Sequence, residues 1–340
     1  MSERKRAFVM FSGGLDSLLA ARLLKELGIE ILLLNFRLPF SGRLGNESPD
    51  YPPSALKSRA PELGCRLIVE DLGQDYIEML RNPKHGYGKA ANPCIDCKVH
   101  MLSKARGLMN RYDVSFVATG EVLGQRPMSQ RRDAMRIIER DSGLDGLLLR
   151  PLTAKNLKPT LVEENRWVDR EQLLDFRGRS RKPQLELAAR FKINDPPGSA
   201  GGCLLTESAY AKRLVARFEA GRPMTHAQMH ILKYGRHFKT RDGAFIVVSR
   251  KEQENDALKR LAVLSFNPVV TPEGWPGPLV LLEPQPSDGS LEFAGRAAAR
   301  YGKPPLKNIT FRLEIPGNGP PAFFEVDRPA TNEELEATII

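Results

Sequence analysis

Residues 8–28 read FVMFSGGLDSLLAARLLKELG, and the fold is decided here. The apolar run Ala7–Phe11 is long enough for a short strand. It stops at Ser12 and two glycines follow. Leu18, Leu19, Ala21, Leu23, Leu24 and Leu27 then recur with helical spacing up to Gly28. A strand, a Ser-Gly-Gly bend and an immediate helix start suit a phosphate: glycines permit a tight turn, and free amides with the helix dipole attract an anion. Ser12 and Ser17 add hydroxyl donors. A carboxylate repels phosphate unless a cation intervenes, so Asp16 reads as a magnesium ligand or a loop-ordering group. The Lys-Ser/Thr ending of the common P-loop is absent. An ordinary glycine turn with a capping serine is the plain alternative.

Outward from this stretch, EILLLNF (30–36), CRLIVEDL (65–72), VSFVATGEV (114–122) and GLLLRPL (146–152) read as further strands, and KVHMLSKARGLMNRY (98–112) as a helix. Strands alternating with helices imply a parallel sheet covered on both faces, with ligands beyond the carboxyl ends of its strands. Residues 153–220 are more helical and rich in arginine. The texture changes near residue 221. RHFKTRDGAFIVVSRKEQENDALKRL (236–261) reads as a hairpin turned by Asp242-Gly243 and then a helix. Residues 267–290, dense in Pro and Gly, read as a long loop, and 308–315 and 322–326 as strands. The expected organisation is a catalytic domain over 1–220, a small α+β domain over 221–330 and a flexible tail over 331–340.

The bounds agree. The chain has 340 residues, 41% of them hydrophobic, and no apolar run of membrane-spanning length. MSERKRAFVMFSGG lacks a signal-peptide cleavage site, so the expected location is the cytoplasm, with no membrane partner. The net charge of +10 favours polyanionic partners. Four cysteines are too few for a disulfide scaffold.

SGGLDS matches the SGGxDS signature of the PP-loop ATP pyrophosphatases, which cleave ATP between the α and β phosphates and adenylate an oxygen. TGEVLGQRPMSQ (119–130) resembles the TGE…GQ…SQ stretch of the tRNA 4-thiouridine synthetases, with Gln125 and Gln130 at its polar positions and Arg126 in place of a small apolar residue. The resemblance implies a HUP/Rossmann-like α/β sheet and the cofactors ATP and Mg2+. It implies nucleotide contacts from Ser12, Gly13, Gly14, Leu15, Asp16 and Ser17, with Phe36, Thr119, Gly120 and Gln125 at neighbouring strand ends.

NPCIDCKVHM (92–101) puts two thiols three apart just before a helix, a position that favours thiolate. A third lies in GSAGGCLLT (198–206). The tRNA 2-thiouridylases have a similar NP-x-x-x-C and later cysteine, matched here by Cys97 and Cys203. Three readings stand: a [4Fe–4S] cluster on Cys94, Cys97 and Cys203, as in cluster-dependent thiolation enzymes; a persulfide-forming pair, Cys97 and Cys203; or structural zinc or inert thiols, with His100 as the one nearby fourth ligand. Cys65 reads as packing, and His85 as a loop histidine to watch. The implied reaction is ATP-dependent tRNA uridine sulfur transfer, in which adenylation turns a carbonyl oxygen into a leaving group and Cys97, Cys203 and Asp16 act.

GRHFKTRDGAFIVVSRKEQEN (235–255) resembles the RNA-binding domain of the NFACT ribosome-quality-control proteins. The contacts implied are Arg236, His237, Phe238, Lys239, Arg241 and Arg250, with Phe238 available for stacking. RGRSRK (177–182) and SQRRDAMR (129–136) are two further basic stretches. Expected partners are tRNA and a sulfur donor, either sulfide or a desulfurase-derived persulfide; a homodimer is compatible. Rival readings are sulfur transfer to a small molecule, ATP-dependent amidation, and RNA binding without catalysis.

Overall fold

A computed structural model describes residues 5–41, 54–198 and 202–340. The chain divides into two compact units between Cys203 and Leu204.

The first unit runs β1 (Arg6–Met10), α1 (Leu15–Glu26), β2 (Glu30–Arg37), α2 (Ser54–Leu63), β3 (Arg66–Asp71), α3 (Gln74–Arg81), α4 (Cys94–Leu108), β4 (Phe116–Thr119), α5 (Arg132–Asp141), β5 (Leu148–Leu149), α6 (Leu161–Glu164) and α7 (Lys182–Arg190). Its five strands are parallel, in the order β3-β2-β1-β4-β5. β1 is central, with Val9 opposite Leu33 on one side and Ala118 on the other. Ala7, Phe8 and Val9 are fully buried, so the run is continuously apolar rather than alternating. α1 is buried on two sides: Leu18, Ala21 and Leu24 join the cluster of Val9 and Leu33, while Leu15, Leu19 and Leu23 join Val122 and Leu187. The strand order reverses between β1 and β4, and the SGG and TGE loops leave the sheet at that seam. The fifth strand is shorter than the 146–152 reading, because only Leu148 and Leu149 pair with β4.

The second unit runs α8 (Ser208–Glu219), α9 (His226–Ile231), β6 (Arg236–Lys239), β7 (Phe245–Val248), α10 (Glu252–Ser265), β8 (Val269–Pro272), β9 (Val280–Leu282), α11 (Asp288–Tyr301), β10 (Ile309–Glu314), β11 (Ala322–Val326) and α12 (Asn332–Glu336). Its antiparallel sheet has the order β11-β10-β8-β9-β7-β6. The two-residue period of β7 feeds two cores: Ile246 and Val248 pack with α11, and Val247 with α9 and α10. Small residues bring α11 close to the sheet. A Cβ on Gly295 would lie 2.8 Å from Val326 Cγ1.

Three expectations are corrected. The division falls at residue 203, not near 221, because α8 is tied to the second unit: Tyr210 donates to the Met229 carbonyl (2.9 Å) and Arg213 to those of Leu232 (2.7 Å) and Gly235 (3.1 Å). The stretch 267–290 is not one loop. Its Pro and Gly residues fall mostly outside β8 and β9, whose apolar residues pair. The last ten residues are not a loose tail. Thr331 and Glu334 form a capping box that starts α12. Beyond it, the Lys239 amide donates to the Thr338 carbonyl (2.8 Å) and the Ile340 amide to the His237 carbonyl (3.0 Å), so the chain end is bonded to edge strand β6.

Candidate active site

The SGG bend is built as its residues suggest. Gly13 takes φ +76°, Gly14 caps α1, and the first helical bond runs from Leu18 N to Gly14 O (3.1 Å), so the amides of Leu15, Asp16 and Ser17 precede the helical ladder. Ser17 Oγ donates to the Gly14 carbonyl (2.9 Å) and lies 3.3 Å from Ser12 Oγ. Gly120, one residue past β4, presses on this turn. A Cβ there would lie 2.4 Å from the Asp16 carbonyl and 2.6 Å from Ser17 N. Gln125 Nε2 donates to Asp16 Oδ2 (3.0 Å), tying the two loops together, while Asp16 Oδ1 is buried without a hydrogen-bond partner among the described residues. Burial raises the Asp16 pKa, opposed by Gln125 and by Arg181.

A cavity of about 370 Å³ opens here. Ser12, Asp16, Ser17, Phe36, Thr119 and Gly120 line it. Gly13, Gly14, Leu15 and Gln125 support it from the loops. Lys98, Glu121, Arg126 and Gln130 also line it. Sequence reasoning misses Lys98, although it directly follows Cys97. Lys98 pairs with the buried Glu121, which also accepts from Arg150 Nε (3.2 Å) and Thr119 Oγ1 (3.2 Å). The two cations outweigh desolvation and lower the Glu121 pKa to about 2. A depressed carboxylate contributes stability above its unfolded value, near 4.5, and loses it as pH falls toward 2. Glu121→Gln is therefore expected to cost about 3 kcal/mol at pH 7 and to flatten the loss of stability between pH 5 and 3. Urea titrations at the two pH values check this; parallel acid dependence in both proteins would refute it.

The cysteine site departs from expectation. α4 begins at Cys94, so both thiols lie in its first turn. Cys97 is hydrogen-bonded to the fully buried Tyr76 hydroxyl, 3.1 Å from its Sγ. Cys94 and Cys203 lie close enough to act electrostatically on both groups. Burial outweighs the helix terminus and pushes the Cys97 thiol up to about 11, so the expected thiolate is not favoured. Iodoacetamide should label Cys97 roughly a hundredfold more slowly in the native than in the denatured chain at pH 8, the gap closing as pH rises. Equal rates, read by peptide mass, would contradict the burial.

Among the described residues no three Cys, His, Asp or Glu side chains are grouped to hold a metal ion. Residues 199–201 of the glycine loop lie outside the described residues. His100 does not complete a zinc site: it pairs with Asp75 (3.4 Å) and meets the Tyr76 ring edge-on. His85 is not a free loop group either. It joins Asp96 (3.0 Å) to Asp141 (3.4 Å) and so braces α4 against α5. Cys65 packs against the core, as expected.

In the second unit, four of the six suggested RNA contacts reach solvent. Lys239, Arg241 and Arg250 are exposed, and Arg236 lies over the Tyr301 ring at 4.2 Å. Phe238 and His237 are corrections. Both are buried, because the alternation of edge strand β6 turns them into the two packed faces. His237 Nε2 donates to the Tyr234 carbonyl (2.8 Å). Burial and the Arg213 and Arg217 guanidinium groups hold its pKa well below the usual value.

Comparison with known proteins follows the same division. Residues 3–166 match the family described as thiamine biosynthesis protein (ThiI), and residues 235–338 match the NFACT protein RNA binding domain. The N-terminal unit thus resembles proteins of the PP-loop, tRNA thiouridine synthetase type. This PP-loop region is similar to the bifunctional protein NifU/MnmA of Rubrobacter xylanophilus, 31% identical over 136 residues, covering 38% of this chain and 28% of that protein. It is also similar to the tRNA-specific 2-thiouridylase MnmA of Cytophaga hutchinsonii, 29% identical over 143 residues, covering 38% of each. The chain thus spans less than two-fifths of the length of these relatives. The U34-tRNA thiolase NcsA of Methanococcus maripaludis, solved with its [4Fe–4S] cluster, aligns over 67% of this chain and 71% of that one. Its 17% identity and TM-score of 0.34 are too slight to carry an argument about the cysteines. Among the described residues no helix is long and apolar enough to cross a membrane.

Proposed function

We propose that the protein is an ATP-dependent tRNA uridine sulfurtransferase. The observation that carries this reading is that one cavity joins the SGG bend and TGE loop to Lys98, the residue after Cys97. A nucleotide site lined by the helix that also carries Cys94 and Cys97 suits activation of an oxygen followed by sulfur delivery. The relatives' tRNA thiolation and the NFACT-type second unit favour RNA as the acceptor over a small molecule.

In this reading the amides at the start of α1, with the Ser12 and Ser17 hydroxyls, receive the triphosphate. The orphaned Asp16 Oδ1 fits a bound Mg2+, which would offset phosphate charge. Lys98, oriented by Glu121, adds a positive charge at the cavity wall. A uracil carbonyl oxygen attacks the α-phosphate and pyrophosphate leaves. The terminal sulfur of a persulfide on Cys97 or Cys203 then attacks the ring carbon, and AMP departs with the oxygen. The second thiol attacks the resulting mixed disulfide and frees the thiouridine. The Cys97–Cys203 disulfide left behind is reduced by an external thiol. Tyr76 holds the Cys97 sulfur in place.

Mass spectrometry of nucleosides from bulk tRNA, with and without the gene, is expected to show loss of one thiolated uridine, restored by the wild-type gene but not by Cys97→Ser. An unchanged thionucleoside profile would overturn the reading.

A further inference from the structure

A second cavity, of about 610 Å³, lies in the first unit where β5 forms the edge of the sheet. Its floor is apolar, with Met135, Leu149 and Leu157. Its rim carries Arg132, Arg136 and Lys158, all exposed and none with an anionic partner among the described residues. Of the acidic side chains lining it, Glu139 pairs with Arg150, Glu163 with Arg170 and Asp133 with Arg131, which leaves Asp145 as one carboxylate against the three rim cations. Three uncommitted cations around an apolar floor suit a ligand with a flat apolar body and phosphates on either side.

The position gives this a purpose. Gln130 lines the nucleotide cavity and Arg132, two residues on, lines the second one. Arg150 lines the second cavity and bonds through its guanidinium to Glu121, a wall of the first. The cavities stand back to back across one buried ion pair. We infer that this sheet-edge cavity holds a nucleotide of the RNA acceptor, its base on the Met135–Leu157 floor and its flanking phosphates on Arg132, Arg136 and Lys158. The inference rests on the sulfurtransferase reading. It makes the PP-loop unit itself an RNA-binding surface.

The test uses the full chain and unmodified tRNA transcripts. The variant Arg136→Ala/Lys158→Ala is expected to bind tRNA at least tenfold more weakly near 0.1 M salt. Its plot of log affinity against log salt should be shallower by roughly 1.5–2, one phosphate contact for each cation removed. Ultraviolet crosslinking of bromouridine-substituted tRNA should map to peptides containing Met135 or Leu157. Unchanged affinity and slope, in a variant whose thermal melt matches wild type, would overturn the inference. If wild type thiolates tRNA and the variant does so equally well, the groove alone falls. If wild type binds no tRNA, the groove and the sulfurtransferase reading fall together.

Discussion

Gly120→Ala is expected to cut ATP-dependent pyrophosphate release at least a hundredfold and to destabilise the first unit by about 3 kcal/mol. The new methyl would sit 2.4 Å from the Asp16 carbonyl and 2.6 Å from Ser17 N. These are backbone atoms in the first turn of α1, and they cannot rotate aside as a side chain could. The helix start must therefore move, carrying with it the amides that face the phosphates. A displacement near 1 Å is enough for a rate loss of that size. Gly107→Ala is the control. It lies exposed in α4 with nothing within 4 Å of its Cβ position, and should gain up to about 1 kcal/mol from helix propensity. If the two variants unfold at the same denaturant concentration and release pyrophosphate alike, β4 does not press on the SGG bend as described.

Phe238→Ala is expected to cost the second unit about 3–5 kcal/mol, the range for a large aromatic removed from a packed core. Its ring is fully buried among Ile246, Val280 and Leu282 and meets Phe293 edge-on at 5.8 Å. Lys239→Ala/Arg241→Ala should leave the melting temperature nearly unchanged and weaken tRNA binding, because both side chains are exposed. The opposite pattern, with a stable Phe238→Ala protein that loses RNA affinity, would restore Phe238 as a stacking surface.

That reversal shows where sequence reading succeeds and where it stops. The SGGLDS bend, the first four strands of the parallel sheet and the Asp242-Gly243 hairpin are local signals, and each is in place. Phe238 misleads because an edge strand covered on both faces looks, in one dimension, like a strand with an exposed face. The cysteines show the same limit. Their spacing and the helix start are legible, but burial keeps the Cys97 thiol protonated, and the Tyr76 hydroxyl that bonds it lies upstream on another helix, a contact no local pattern announces. The Glu121–Lys98–Arg150 network is legible only as the third letter of TGE, since its cations come from a distant helix and from the end of β5. The strands on either side of 272–279 are hidden by the Pro and Gly of the turn between them.

The central place of β1 bears on the order in which the chain assembles. Its first neighbour, β2, follows within about twenty residues, but its other neighbour begins at Phe116. During synthesis, the SGG bend is made early and stays half-walled until the TGE loop emerges and closes on it. A pairing this distant along the chain is slow to form, and until then one edge of the central strand is bare. Nascent chains halted between residues 60 and 110 should therefore be retained by chaperones, whereas chains extended beyond residue 150 should be released.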